Sequence, residues 1–388
     1  MKRTKILAMV CAAVLLVALF AGCSGKPAAS DGKATVKIGG IGPITGGAAI
    51  YGNAVKQGAE LAIAEINAKG GIQFEMNFQD DAHDAEKSVN AYNTLMDWGM
   101  QVLLGPVTSD PATAVAAEAD RDHIFMLTPS GSSTKITDGH ENVYQMCFSD
   151  PNQGLASAKY ISEKKLSEKI AIIYKSDDAY STGIYEKFSA EAKEKALTVV
   201  YTGTFTSDSE TDFSAQLTAA KSAGADLLFL PIYYTPISLI MQQAKSIGLD
   251  VTYFGVDGMD GLLSLEGFDK SLAEGAYLLT PFSADSTEEK SAAFTKAYRE
   301  KFGMEPNQFA ADAYDCVYAF AQAFDTAGAD VASKDHKTIC DEMIKQFTSM
   351  KFTGLTGAGV AMTWNAAGEI SKEPMAVIIK NGVYTSVE

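Results

Sequence analysis

A fold of the α/β class, with parallel sheets either doubly wound or closed into a barrel, is predicted by two features of this chain. Short apolar runs such as "VKIGGI", "VLLG", "KIAIIY" and "DLLFLP" alternate with amphipathic, helix-like stretches. The runs are apolar almost throughout, as strands covered on both faces are. The length of 388 residues, at roughly 100–200 residues per domain, further indicates two domains or three.

The elements follow in order. "VKIGGI" precedes "YGNAVKQGAELAIAEINAKGG", where Ala54, Gly58, Leu61, Ala62 and Ile66 recur at helical spacing before a Gly-Gly stop. "FEMNFQD" precedes the helix-like "DAEKSVNAYNTLMDWG", with Asp84 as its cap, and "VLLG" precedes "DPATAVAAEADRD". "IFMLTPS" closes this half. At "SDPNQG", Asp150 as N-cap and Pro151 as first helical residue open a second unit. There "KIAIIY", "TVVYTG", "DLLFLP" and "VTYFG" are strands, the first three leading into helices. The tail from Val360 reads as strands joined by Gly turns.

The first 25 residues carry Lys2, Arg3 and Lys5, then an apolar stretch from Ile6 to Phe20, then Ala21, Gly22 and Cys23. The stretch is short for a membrane span, and the pattern resembles a bacterial lipoprotein signal cleaved before a lipidated Cys23. Phe20 stands where Leu is usual. Residues 24–34 are small and polar and read as a flexible tether. The body of the protein is therefore expected outside the cytoplasm, lipid-anchored. The formal net charge is −16, spread along the chain. Phosphate binding needs Lys and Arg, so no nucleic-acid partner is expected. Cys147, Cys316 and Cys340 contain no C-x-x-C pair, which argues against a disulfide framework or zinc site; a Cys316–Cys340 bridge is left open.

In open parallel sheets ligands bind beyond the carboxyl ends of strands. After "VLLG" come Thr108 and Ser109 at a helix start; after "IFMLTP" come Ser130, Gly131, Ser132 and Ser133. Free amides, a helix N-terminus and short hydroxyls form a neutral cradle for a carboxylate. Beyond the strands of the second half stand Tyr180, Tyr233, Tyr234 and Asp257. Tyrosines suit a cleft wall, apolar with a polar tip, and Asp257 is an acceptor for an ammonium group. A free α-amino acid carries both charges.

"GPITGGAAIYGNAVKQGAELAIAEINAKGGI", "FQDDAHDAEKSVNAYNTLMDWGMQVLLGPVTSDPATAVA", "MLTPSGSS", "SDPNQG", "DDAYSTG" and "LIMQQAKSIGL" resemble the branched-chain amino-acid-binding proteins of ABC importers, type I periplasmic binding proteins of the Leu/Ile/Val class. The resemblance runs from about Val36 to the final "KNGVY". It implies two doubly wound, Rossmann-like parallel-sheet domains with a ligand cleft between them, 36–150 with 280–374 and 151–279 with 375–388. It implies Ser109 on the ligand carboxylate, with Ser130, Gly131 and Ser132 beside it, and Asp257 on the ammonium. Tyr51, Tyr180 and either Tyr233 or Tyr234 would line the cleft. It also implies a monomer that delivers Leu, Ile, Val or another neutral amino acid to a membrane permease with its cytoplasmic ATPase. Asp257 departs from the Glu often found in the family, and the "GPITGGAAIYG" loop is longer and richer in Gly.

Other functions fit less well. Thr45 and Pro43 break the near-match of "GGIGPITGG" to a dinucleotide loop, and no G-x-S-x-G occurs. "DDAHD", with His83, reads as a helix start rather than a metal site. Neither enzyme, cofactor nor metal is expected. A ligand sensor that signals to a membrane receptor is the alternative to transport.

Overall fold

Strands form where the apolar runs lie. The computed structural model describes residues 35–328 and 330–387; the leader, Cys23 and the tether lie outside the described residues. β1 (Thr35–Gly42), β2 (Gln73–Asp80), β3 (Val102–Leu104), β4 (Phe125–Thr128) and β5 (Val143–Gln145) make one sheet in the order β2-β1-β3-β4-β5. Every pair is parallel. α1 (Ala49–Ala68), α2 (Ala85–Trp98) and α3 (Ser109–Asp122) are the crossovers that parallel neighbours require. Asp84 caps α2 as expected, its carboxylate accepting from Lys87 N at 2.8 Å.

The second sheet holds β6 (Ile170–Lys175), β7 (Val199–Phe205), β8 (Leu227–Leu230), β9 (Thr252–Gly255), β10 (Tyr277–Thr280), β11 (Met375–Lys380) and β12 (Val383–Ser386). Their order is β12-β11-β10-β9-β8-β6-β7. α4 (Asp150–Lys164) leads into this sheet, and α5 (Ala179–Glu194), α6 (Ser214–Ser222) and α7 (Tyr234–Ser246) cross over within it. The expectation of parallel pairing fails at one edge, where β11 pairs antiparallel with both β10 and β12. The turn "NG" sets the β11–β12 pair: Asn381 and Gly382 both adopt positive φ, 53° and 71°, the backbone of a tight hairpin.

Between β10 and β11 the chain returns to the first sheet through α8 (Glu289–Phe302), α9 (Gln308–Ala327) and α10 (His336–Phe347). The Phe347 ring lies 4.7 Å from that of Phe125 in β4. α9 packs against α1 so closely that a Cβ on Gly58 would lie 2.0 Å from the Ala310 carbonyl oxygen. Each half is thus built from two stretches of chain. The last of these connections carries a buried ion pair, Lys372 Nζ to Asp312 Oδ1 at 2.7 Å, with side chains 0% and 2% exposed.

One expectation needs correction, and one open point is answered. α4 is capped by Ser149, so Asp150 is its first residue and Pro151 its second; the Asp150 carboxylate makes no cap bond. Cys316 and Cys340 are not bridged: both are free, as is Cys147. All three are buried in the core, where a thiol packs as a small apolar group.

Two stability predictions follow from this packing. Gly58→Ala must push α1 from α9 and should cost about 1–3 kcal/mol, read as a lower urea midpoint; an unchanged midpoint would contradict the close approach. Lys372→Ala strands a buried carboxylate, at a cost of about 3–5 kcal/mol near neutral pH. Burial already pushes Asp312 up to about 7 against the lowering effect of Lys372, and loss of Lys372 raises it further. Its ionised form is the costly one, so the loss should be larger at pH 8 than at pH 5 in urea titrations. An equal loss at both would show that Asp312 does not titrate there.

Candidate functional site

Strand order reverses between β1 and β3 in the first sheet and between β6 and β8 in the second, and at such switch points crevices open beyond the strand ends. Beyond β3, Thr108 caps α3 with extended backbone and no side-chain cap bond. Its hydroxyl instead lies 2.8 Å from His83 Nδ1. Ser109 is the first residue of α3, and its Oγ accepts from the amides of Ser132 and Ser133, both at 3.2 Å. Having spent only lone pairs, the Ser109 hydroxyl keeps its proton to donate. Ser130 Oγ donates to Val107 O at 2.7 Å.

The opposite wall comes from the second sheet. Tyr180, in the first turn of α5, donates from Oη to Asp257 Oδ1 at 2.6 Å and accepts from Gly258 N at 2.9 Å. Its ring stacks on Tyr233, centroids 4.8 Å apart. The Tyr233 ring meets His83 edge-on at 5.4 Å and Tyr51 at 5.6 Å. Tyr51, from α1, donates across the crevice to Gly258 O at 2.6 Å and accepts from Tyr234 N at 3.2 Å.

Tyr51, Ser109, Ser130, Tyr180, Tyr233 and Asp257 line one cavity of about 10 Å³, roughly the space of one water. Thr108 and Phe309 complete much of its wall. Three other expected residues stand apart from the lining. Gly131 spends its amide on Thr128 Oγ1 and its carbonyl on Gln145 Nε2. Ser132 lies behind Ser109. The Tyr234 hydroxyl accepts from Ile50 N at 3.3 Å, so Tyr233, not Tyr234, faces the cavity.

Electrostatically the cavity is short of cations. Burial pushes Asp257 up to about 6, with hydrogen bonds from Tyr180 and Gln153 pulling the other way. Burial likewise holds His83 down to about 4, aided by the Lys175 charge, so its ring is neutral at pH 7. The same desolvation raises Tyr51, Tyr180 and Tyr233, which stay hydroxyls able to donate. The lining is two-ended: hydroxyls face one end and a carboxylate the other.

Phe309 was not singled out from the sequence as a cavity residue, nor was His83 as the residue that backs Thr108 and Tyr233. His83 was legible in principle, since it lies three residues beyond the end of β2. Phe309 had no local signal; it reaches the site at the start of α9, its ring 4.3 Å from that of Tyr51. A larger cavity of about 690 Å³ lies between α1, α8 and α9. Its polar walls are already paired: Tyr314 and Tyr318 both donate to Glu65 Oε2, and Asp315 accepts from Leu355 and Thr356. Nothing there converges on a ligand.

Comparisons with known proteins agree with this geometry. The family described as "Periplasmic binding protein" matches residues 35–377. The Leu/Ile/Val-binding protein BraC3 of Rhizobium johnstonii is 30% identical over 301 residues, 76% of this chain and 80% of that protein. A leucine-, isoleucine-, valine-, threonine- and alanine-binding protein of Pseudomonas aeruginosa is 28% identical, covering 76% of this chain and 79% of its own. Among solved structures, the branched-chain amino acid transporter substrate-binding protein LivJ of Streptococcus pneumoniae, in complex with isoleucine, superposes with a TM-score of 0.81 at 30% identity. That match covers 91% of this chain and 99% of the other. A solute-binding protein of R. palustris in complex with benzoate shares the fold, with a TM-score of 0.80 at 20% identity, over 91% and 95% of the two chains. With two α/β halves facing across a crevice and a family match over residues 35–377, the chain belongs to the periplasmic binding protein family: an extracytoplasmic solute-binding protein of type I fold, not an enzyme.

Proposed function

We propose that this protein captures a free neutral amino acid, with Leu, Ile or Val as the first candidates, and delivers it to the permease of an ABC importer. The observation that carries the reading is the two-ended cavity, with the Ser109 hydroxyl and the Ser130 loop at one end and the buried Asp257 carboxylate at the other. The names of the relatives support the ligand class. The lobes are 36–150 with 280–374 and 151–279 with 375–388, a division supported by the two sheets and by β11 opening at Met375. Lipid anchoring at Cys23 would hold the protein beside its permease.

Closure follows from where the two ends lie. The hydroxyl end belongs to the first sheet and the carboxylate end to the second, so one ligand bridges them only when the halves meet. The cavity of about 10 Å³ has room for about one water and not for an amino acid, so binding one requires the halves to sit further apart than they do here. Each charge-assisted bond contributes roughly 1.5–3 kcal/mol, and about 5.5 kcal/mol moves a population from 1:99 to 99:1. Two or three bonds made only on closing therefore suffice to switch the form that a permease meets.

A thermal-shift screen of the protein against the twenty amino acids tests this. Binding to the folded state at a hundredfold excess over Kd adds about 2.7 kcal/mol and raises Tm. Ser109→Ala and Asp257→Ala should each weaken binding by about 10- to 150-fold. No rise with any amino acid, or full binding by both variants, would overturn the reading.

A further inference from the structure

We infer that His83 is a positioning residue for the ligand's carboxylate: it holds the Thr108 hydroxyl off the start of α3 and so keeps the first amides of that helix free to donate. The inference rests on the amino-acid reading above and adds the side chain that keeps its hydroxyl end open. Thr108 has the extended backbone of an N-cap, φ −114° and ψ 154°, yet its side chain makes no cap bond. A threonine in that place ordinarily accepts from the second or third amide of its helix. Here the third residue is Pro111, which has no amide, so Asp110 N is the donor that a cap would use. The hydroxyl instead lies 2.8 Å from His83 Nδ1.

The amides left over have no other taker. Among the described residues neither the Ser109 nor the Asp110 amide donates a hydrogen bond, and the bonds of the helix begin with Ala112 N to Thr108 O at 2.9 Å. The Asp110 carboxylate turns the other way, to the Ala179 amide that opens α5. Ser109 Oγ is taken by the amides of Ser132 and Ser133, and Ser130 Oγ donates to Val107 O. Thr108 and Ser109 both line the cavity. A released Thr108 hydroxyl would therefore compete with a ligand carboxylate for the same amide.

His83 is fixed from three sides. The backbone of "DDAHD" is left-handed at Ala82 and His83, φ 48° and 61°, a conformation uncommon outside glycine. Two carboxylates hold it there: Asp80 Oδ1 accepts from Ala82 N at 3.0 Å, and Asp81 Oδ1 from His83 N at 2.9 Å. Asp81 is fully buried and also accepts from Ser88 Oγ at 3.3 Å. On its far side the His83 ring meets Tyr233 edge-on, at an interplanar angle of 89°. The imidazole is thus wedged between the Thr108 hydroxyl of one half and the Tyr233 ring of the other. A neutral imidazole has one N–H and one lone pair, and a hydroxyl pairs with either, so the contact holds in both tautomers.

Two readouts test this with His83→Phe, which keeps a ring against Tyr233 and removes the nitrogen. The first needs no ligand. Hydrogen exchange at the Asp110 amide, followed by NMR of the protein, should slow by about 5-fold in His83→Phe as Thr108 turns onto that amide, the worth of one helix cap. It should return to the wild-type rate when Thr108→Val is added. A merely structural loss speeds exchange, so an unchanged or faster rate in His83→Phe overturns the inference. The second readout is calorimetry with leucine, isoleucine and valine. His83→Phe should weaken whichever of them binds the wild type by about 5-fold, and the same change in a Thr108→Val background should cost less than about 2-fold. An equal cost in both backgrounds shows that His83 does not act through Thr108 and overturns the inference. Failure of all three to bind the wild type overturns the amino-acid reading instead, and the exchange rate at Asp110 still decides where Thr108 turns.

Discussion

A relay of hydrogen bonds ties the two halves together around the cavity. Tyr51 Oη donates to Gly258 O, Gly258 N donates to Tyr180 Oη, and Tyr180 Oη donates to Asp257 Oδ1. Each phenol has one proton, so the direction is fixed: Tyr51 and Tyr180 have none left to give, and Asp257 must accept. The relay therefore links an α1 side chain on the first sheet to a carboxylate on the second, with one carboxylate oxygen committed to Tyr180. Gly258 is what lets it close. A Cβ there would lie 2.6 Å from Tyr180 Oη and 3.0 Å from Ile232 O, so any side chain would push the tyrosine off the carboxylate.

The topology explains why those residues can meet. In both sheets the strand order reverses beside the first strand of the unit, and the loops that leave in opposite directions open a crevice. Ser109 follows β3 and Tyr51 follows β1; Tyr180 follows β6, Tyr233 follows β8 and Asp257 follows β9. Two crevices set face to face make one cleft. The return of α8–α10 to the first sheet, fixed by the α1–α9 contact at Gly58 and by the Phe125–Phe347 rings, also delivers Phe309 to the cavity mouth.

Much of this was legible in the sequence because a buried parallel strand must be apolar on both faces, which marks its end sharply. Once the ends were known, the hydroxyls at Thr108, Ser109 and Ser130 and the acid at Asp257 stood out as polar groups where a plain turn would do. Side-chain direction was less legible. Tyr233 and Tyr234 differ by one residue, and only the start of α7 at Tyr234 decides that Tyr233 turns inward. Gly131 sits in the right loop, yet Thr128 and Gln145 take both its polar groups. Asp150 was read as a cap because Asp before Pro usually is one; Ser149 takes that place and leaves the acid one position further along. The antiparallel edge was hidden for a different reason, since pairing direction depends on the tertiary path and only the "NG" turn records it locally.

The buried acids sort themselves by how they are satisfied. Those that hold the fold together are paired within the chain: Asp312 has Lys372, Asp315 has two backbone amides and the Thr356 hydroxyl, and Asp178 caps α5. A low-dielectric interior makes such pairing close to obligatory, because an unpaired charge costs far more than a lost surface contact. At the cleft the pattern changes. Asp257, on the cavity wall, receives one phenol proton, from Tyr180, at Oδ1. A chain with a net charge of −16 could spread its acids over the surface at little cost. Asp257 is instead buried on the cavity wall with a phenol as its side-chain partner, a local deficit of positive charge of the kind that an ammonium-bearing ligand makes good.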